Sequence, residues 1–286
     1  MTRLAMAKSL LIKTVTNWSE DNVPRLAAAF SFYAILSIAP VLVLAVTLAS
    51  VFLAKEDAQA RLLDQVQKFV GSTDAKNLVL GLIHGTEKKG SGTLATLISL
   101  LVTFFSASNL FLQLELTVNA IWDIQQKGSM IRQLIATRIL AFLAVGVFGA
   151  LMLAWLALDS WLGWFSEQTP GFQGGQVVSF LVAALFFTGA LSVAYKGLPK
   201  GRTRWSDVWP GAVVAAVGIA LSKLAFSTYL GYAGLSAYGA AGSLVALLLW
   251  IYYTSQIFFF GLEMTYTYTK EFGSLKGKNP GDLQYS

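Results

Sequence analysis

The sequence predicts an all-α polytopic membrane protein: six transmembrane helices, an N-terminal interfacial helix, and an amphipathic helical outer loop between the first two spans. Three observations predict it. Of 286 residues, 55% are hydrophobic and 13% charged, whereas a soluble domain carries about 25% charged residues. The apolar residues gather in six runs of roughly the 20 residues needed to cross about 30 Å of hydrocarbon. Lys and Arg concentrate in alternate connections between those runs, as expected of a cytoplasmic face.

Residues 1–25 read as a cytoplasmic interfacial segment. Leu4, Leu11, Val15 and Trp18 share one helical face, with Lys8 and Lys13 toward its edges, which suits a helix lying in the interface with Trp as anchor. The first span, 26–54, is uncharged. It would be about 43 Å long, so it must tilt, bend or protrude, and Pro40 is the place for a bend. No cleavable signal peptide is expected, because this run is too long for an h-region and follows 25 residues that include charges and Trp18.

The outer loop, 55–91, carries a stripe of Leu62, Leu63, Val66, Phe69 and Val70, then the break Gly71-Ser72-Thr73-Asp74 and a second apolar stretch, Leu78 to Ile83. This reads as two amphipathic helices forming a lid or a packed cap, with a lone His84. The second span, 92–121, contains Glu115; the third, 139–158, and fourth, 176–194, are uncharged; the fifth, 210–232, contains Lys223; the sixth, 239–262, ends at Glu263. Gly146, Ala150 and Ala154 make a small-residue seam on the third span, for internal packing or an oligomer contact. Gly231, Gly234, Gly239 and Gly242, with Tyr229, Tyr232 and Tyr238 among them, interrupt the passage from fifth to sixth. Residues 264–286 form a cytoplasmic tail.

Orientation follows from the basic residues. Arg3, Lys8, Lys13 and Arg25 precede the first span, Lys127, Arg132 and Arg138 follow the second, Lys196, Lys200, Arg202 and Arg204 follow the fourth, and Lys270, Lys276 and Lys278 follow the sixth. The connections after the third and fifth spans have none. The outer loop mixes Lys and Arg with acids, and the other connections decide the assignment: both termini are cytoplasmic.

Composition also excludes chemistry. There is no Cys and one His, which removes thiol catalysis, disulfide scaffolds, Cys-based zinc or iron–sulfur sites and His-cluster metal centres. No cofactor is implied, no G-x-x-x-x-G-K-[ST] phosphate loop is present, and a non-enzymatic role is expected. The sequence pI of about 9.4 needs no nucleic-acid partner, since the anionic head groups of membrane lipids attract a basic cytoplasmic face.

Ionisable groups at membrane depth cost several kcal/mol and mark functional positions. Glu115 lies about 10 Å from the inner end of the second span and Lys223 about 20 Å from the inner end of the fifth, so the two stand at different depths. Two polar tiers result. A central one holds Ser37, Asn109, Gln113 and Lys223, and a cytoplasmic one holds Glu115, Asn119, Gln256 and Arg25. The first set reads as substrate-binding and the second as a gate; alternatively, the uncharged members only satisfy one another across helices.

Several stretches together resemble the YihY, or virulence-factor BrkB, family of bacterial inner-membrane proteins. They are Arg25-Leu-Ala-Ala-Ala-Phe-Ser-Phe-Tyr33-Ala-Ile-Leu-Ser37-Ile-Ala-Pro40, Asn119-Ala-Ile-Trp122, Pro210-Gly-Ala212, and Tyr238-Gly-Ala-Ala-Gly242 through Trp250-Ile-Tyr-Tyr253 to Gly261-Leu-Glu263. The resemblance implies six spans, cytoplasmic termini and the inner membrane, and it links the chain to serum resistance and envelope-lipid export. The family's old label, ribonuclease BN, does not suit a chain with one His and scattered acids, because a metal-dependent nuclease needs clustered His and Asp ligands. The expected function is therefore an inner-membrane transporter or lipid-handling protein taking an anionic amphiphile. The alternative is a structural or assembly protein that recruits envelope partners through the outer loop.

Overall fold

The computed structural model describes residues 3–49, 109–124, 175–199, 203–232 and 239–277, with isolated residues within 57–64, at 80 and within 147–164. The continuous elements among them are helices: α1 (Arg3–Glu20), α2 (Val23–Ala49), α3 (Gly175–Gly197), α4 (Trp205–Tyr232) and α5 (Gly239–Glu271). Residues 109–121 form a further helical segment. The described residues are helical, with no strand among them, as the composition and apolar run lengths predict. Most of the outer loop with His84, the first part of the second span, the start of the third span and the Gly/Tyr passage from 233 to 238 lie outside the described residues.

Among the described residues, three helices contain stretches long and apolar enough to cross a membrane: Phe180–Gly197, Trp205–Lys223 and Leu244–Glu271; Val23–Ile38 is a shorter apolar stretch. These helices present Phe180, Leu185, Val217 and Leu221 outward. An outer surface of this kind suits hydrocarbon, because the helix satisfies its own backbone polar groups. Buried hydroxyls follow the same economy: Thr14, Ser31, Ser192, Thr265 and Thr269 each donate to the carbonyl four residues earlier.

The main core gathers at one end of the bundle, called here the α1 end. Val23 and Ala27 of α2, Val118, Ile121 and Trp122, Tyr195 of α3, Val208, Ala212 and Ala215 of α4, and Phe259, Leu262 and Tyr266 of α5 pack together there. Toward the far end, Phe226 of α4 stacks on Trp250 of α5 at 5.1 Å, beside Ala246 and Leu247. Within the main core α4 and α5 cross on glycine. A Cβ on Gly211 would stand 2.1 Å from the Gly261 carbonyl oxygen, and one on Gly261 would stand 2.5 Å from the Tyr195 hydroxyl. Only hydrogen side chains allow that approach.

α4 starts at Trp205 rather than at Pro210, which lies inside it. The reason is a cap. The Arg204 amide donates to Asp207 Oδ2 at 3.4 Å while the Asp207 amide donates to the Arg204 carbonyl at 3.0 Å, a first-turn acid reaching back over the helix start. The same carboxylate accepts from the Ser274 hydroxyl at 2.6 Å and amide at 3.1 Å, tying the start of α4 to the chain just past α5. α5 runs through Glu271, so the first part of the segment read as a tail, 264–271, is helical and mostly buried.

Candidate functional site

α1 does not lie alone. It runs antiparallel to the last turns of α5 in a fixed register: Lys13 Nζ meets Glu271 Oε1 at 2.6 Å, Asn17 Nδ2 donates to Thr267 Oγ1 at 3.2 Å, and Asp21 faces Glu263. Each step of four along α1 matches a step of four back along α5, the spacing that keeps successive side chains on one helix face. The docked face therefore holds Leu10, Thr14 and Asn17. Leu11 and Val15, expected with Trp18 on the anchoring face, are 45% and 53% exposed, whereas Trp18 packs against the core. Periodicity found the helix and its apolar stripe but not the polar rungs that choose which face docks.

The third rung is chemically the unusual one. Glu263 is fully buried; its Oε1 accepts from Thr267 Oγ1 at 3.5 Å, and its Oε2 makes no conventional hydrogen bond. Asp21 sits in the two-residue turn between α1 and α2, whose Asn22 takes the left-handed backbone at φ 52 that Asn tolerates better than most residues. Burial chiefly, and then the charges of Asp123 and Glu20, push the Asp21 carboxyl above its ordinary range; a hydrogen bond with Glu263 and the charge of Lys270 pull it back. Asp123 arrives from the end of the 109–121 segment, itself left-handed at φ 50. There the Ile124 amide donates to the Asn119 carbonyl and the Asp123 amide to that of Ala120, a Schellman closure.

Around this rung lie buried polar atoms without a hydrogen-bond partner: Tyr266 Oη, Trp122 Nε1, Trp18 Nε1 and both side-chain atoms of Asn119. Trp122 and Tyr266 stack at 5.1 Å, and Lys270 Nζ lies 4.6 Å from the Tyr266 ring centre. Groups left this way cost about 1–3 kcal/mol each.

Beside the rung opens a groove of about 760 Å³ between α4 and α5. Its wall is mainly apolar, with Val214, Gly218, Ala225 and Phe226 from α4 and Leu249, Trp250, Ile257 and Phe260 from α5, and Trp18 of α1 also lines it. Ser222, Tyr253 and Gln256 give it polar points. The volume is that of a ligand cleft, and an apolar wall with few polar points suits an amphiphile.

The residues expected to act fall as follows. Gln256 lines the groove, and Lys223, exposed, follows the groove residue Ser222. Because α4 starts at Trp205, Lys223 stands about 27 Å along it, at the end of the apolar stretch and farther from the helix start than the reading from Pro210 put it. Ser37, Glu115 and Asn119 are buried on α2 and the 109–121 segment; Asn109 and Arg25 are exposed and Gln113 is half-buried. None of these six lines the groove. Glu263, read only as a span boundary, and Asp21 are the positions that sequence reasoning passed over. The four-residue spacing of Lys13, Asn17 and Asp21 against Glu263, Thr267 and Glu271 was the available signal.

Among the described residues no group of three or more His, Asp or Glu is arranged to hold a metal ion. The model of the family described as virulence factor BrkB matches residues 14–283. A "UPF0761 membrane protein" of Ralstonia nicotianae is 28% identical over 82% of this chain and 52% of its own length. One of Verminephrobacter eiseniae is 30% identical over 86% of this chain and 58% of its own length, and one of Alteromonas mediterranea is 24% identical over 91% and 87%. The chain thus spans about half the length of the first of these relatives. No solved structure matches it.

Proposed function

The chain belongs to the virulence factor BrkB family of membrane proteins, and we propose that it is a non-enzymatic transporter or lipid-handling protein of the bacterial inner membrane, with both termini cytoplasmic. The groove between α4 and α5 carries this reading. It receives the apolar part of an anionic amphiphile, Ser222, Tyr253 and Gln256 contact its polar part, and the Lys223 ammonium at the far end neutralises its head group. In low-dielectric surroundings such a cation has far more effect than it would in water. Ser37, Asn109 and Gln113, outside the groove, form a separate polar tier, and Glu115, Asn119 and Arg25 with Gln256 make the cytoplasmic gate. Any work comes from an ion gradient, a partner ATPase or the substrate's own gradient.

Transport of a fluorescent anionic lipid in proteoliposomes tests it. Lys223→Met and Glu115→Gln each lower the rate, by roughly tenfold for each 1.4 kcal/mol of lost interaction. Unchanged transport in both variants overturns the assignment.

A further inference from the structure

The rung formed by Asp21 and Glu263 has no part in holding a lipid, yet it sits where α1 meets the groove. Two carboxyl groups facing one another, Glu263 fully buried and Asp21 half-buried, repel when both ionise, so such a pair favours holding one proton between them. Two observations give the pair this character. Glu263 is fully buried and its Oε2 makes no conventional hydrogen bond. The charged groups that reach Asp21 are mostly of its own sign.

Those groups come from every element packed there. Glu20 is on α1, Asp123 follows the 109–121 segment, and Lys270 on α5 is the opposing cation. Asn17 and Thr267 contribute hydrogen bonds to Glu263, and Tyr266 feels Asp123, Glu263 and Lys270. Arg25, on the first turn of α2, is exposed. The other polar ties of α1 are weak. The Lys13–Glu271 pair is exposed at 48% and 39%, where such pairs contribute about 0–1 kcal/mol, and Asn17–Thr267 is one neutral hydrogen bond.

We propose that Asp21 and Glu263 are a proton-binding pair whose occupancy decides whether α1 stays docked on α5 with Trp18 in the groove. With one proton bound, one carboxyl donates to the other and the register holds. When that proton leaves to water, two carboxylates face each other, α1 separates, and Trp18 leaves the groove wall. The consequence for transport rests on the lipid-handling reading above; the docking equilibrium does not. Burial raising Asp21 above the ordinary carboxylate range agrees with a site that titrates closer to neutrality.

The chain has no cysteine, so introduced labels report alone. Nitroxides on Lys8→Cys of α1 and Leu221→Cys of α4, both exposed, measure docking by pulsed electron spin resonance in nanodiscs. The proposal expects one short distance at about pH 5 and a second, longer population that grows at least several-fold by about pH 9. Asp21→Asn, and separately Glu263→Gln, keep the short distance throughout. Either variant suffices should the other fail to fold. An unchanged distance across the range, a change that persists in both variants, or full re-docking by sodium at about pH 9 would overturn the proton assignment. Loss of lipid binding with an intact pH response would instead sink the functional reading and leave this one standing.

Discussion

Replacing Gly211 with Ala tests how α4 and α5 are held together. An added Cβ would stand 2.1 Å from the Gly261 oxygen and 2.2 Å from Thr265 Oγ1. Contacts to carbon settle at about 3.5 Å, so the helices must part by about 1 Å. The nearer atom is backbone and has no rotamer to move into. Overpacking of this kind costs about 1–3 kcal/mol. Against it stands a helix-propensity gain of up to about 1 kcal/mol for Gly→Ala. Gly189 on α3 isolates that gain, since a Cβ there meets nothing within 4 Å. In equilibrium SDS titrations followed by tryptophan fluorescence, Gly211→Ala should be less stable than Gly189→Ala by about 1–3 kcal/mol, since the propensity gain is common to both. Gly261→Ala, whose Cβ would meet the Tyr195 hydroxyl, Ala215 and the Gly211 oxygen, should fall with it. Equal stability of Gly211→Ala and Gly189→Ala would refute the close crossing.

Asp207→Asn weakens charge-assisted bonds to Ser274 and to the Arg204 amide and should cost about 1.5–3 kcal/mol in the same titration, with earlier proteolysis after residue 271. Lys13→Met removes an exposed pair and should cost less than about 1 kcal/mol. Because burial raises the Asp21 carboxyl, the folded state binds that proton more tightly than the unfolded chain does. Its contribution therefore favours folding at low pH and is lost as pH rises from the ordinary carboxylate range through the raised value. A pH series of unfolding midpoints should show that slope in the wild type and a flatter one in Asp21→Asn.

The helical, membrane class was legible because apolar length suffices for it: α3, α4 and α5 contain apolar stretches where the fourth, fifth and sixth runs were read. Helix starts were less so. Pro210 looked like a first helical residue, and only the Asp207 cap reveals that α4 begins at Trp205, which changes the depth of Lys223. The site was least legible. Lys13 finds Glu271 and Asn17 finds Thr267 across 258 and 250 residues, and the four-residue spacing on each helix does not by itself say which two segments pair. Glu115 and Lys223 stood out because their runs are otherwise uncharged, whereas Glu263 sat at a run's end and read as ordinary.

The central claim is that the groove between α4 and α5 holds a lipid. Native mass spectrometry of gently extracted protein tests it directly, comparing wild type with Ser222→Trp and Ala225→Trp, which place an indole in the groove wall. An anionic lipid should stay bound to the wild type and be lost from both variants while their helical content is kept. Equal retention in all three proteins, or no retained lipid in the wild type, would contradict it.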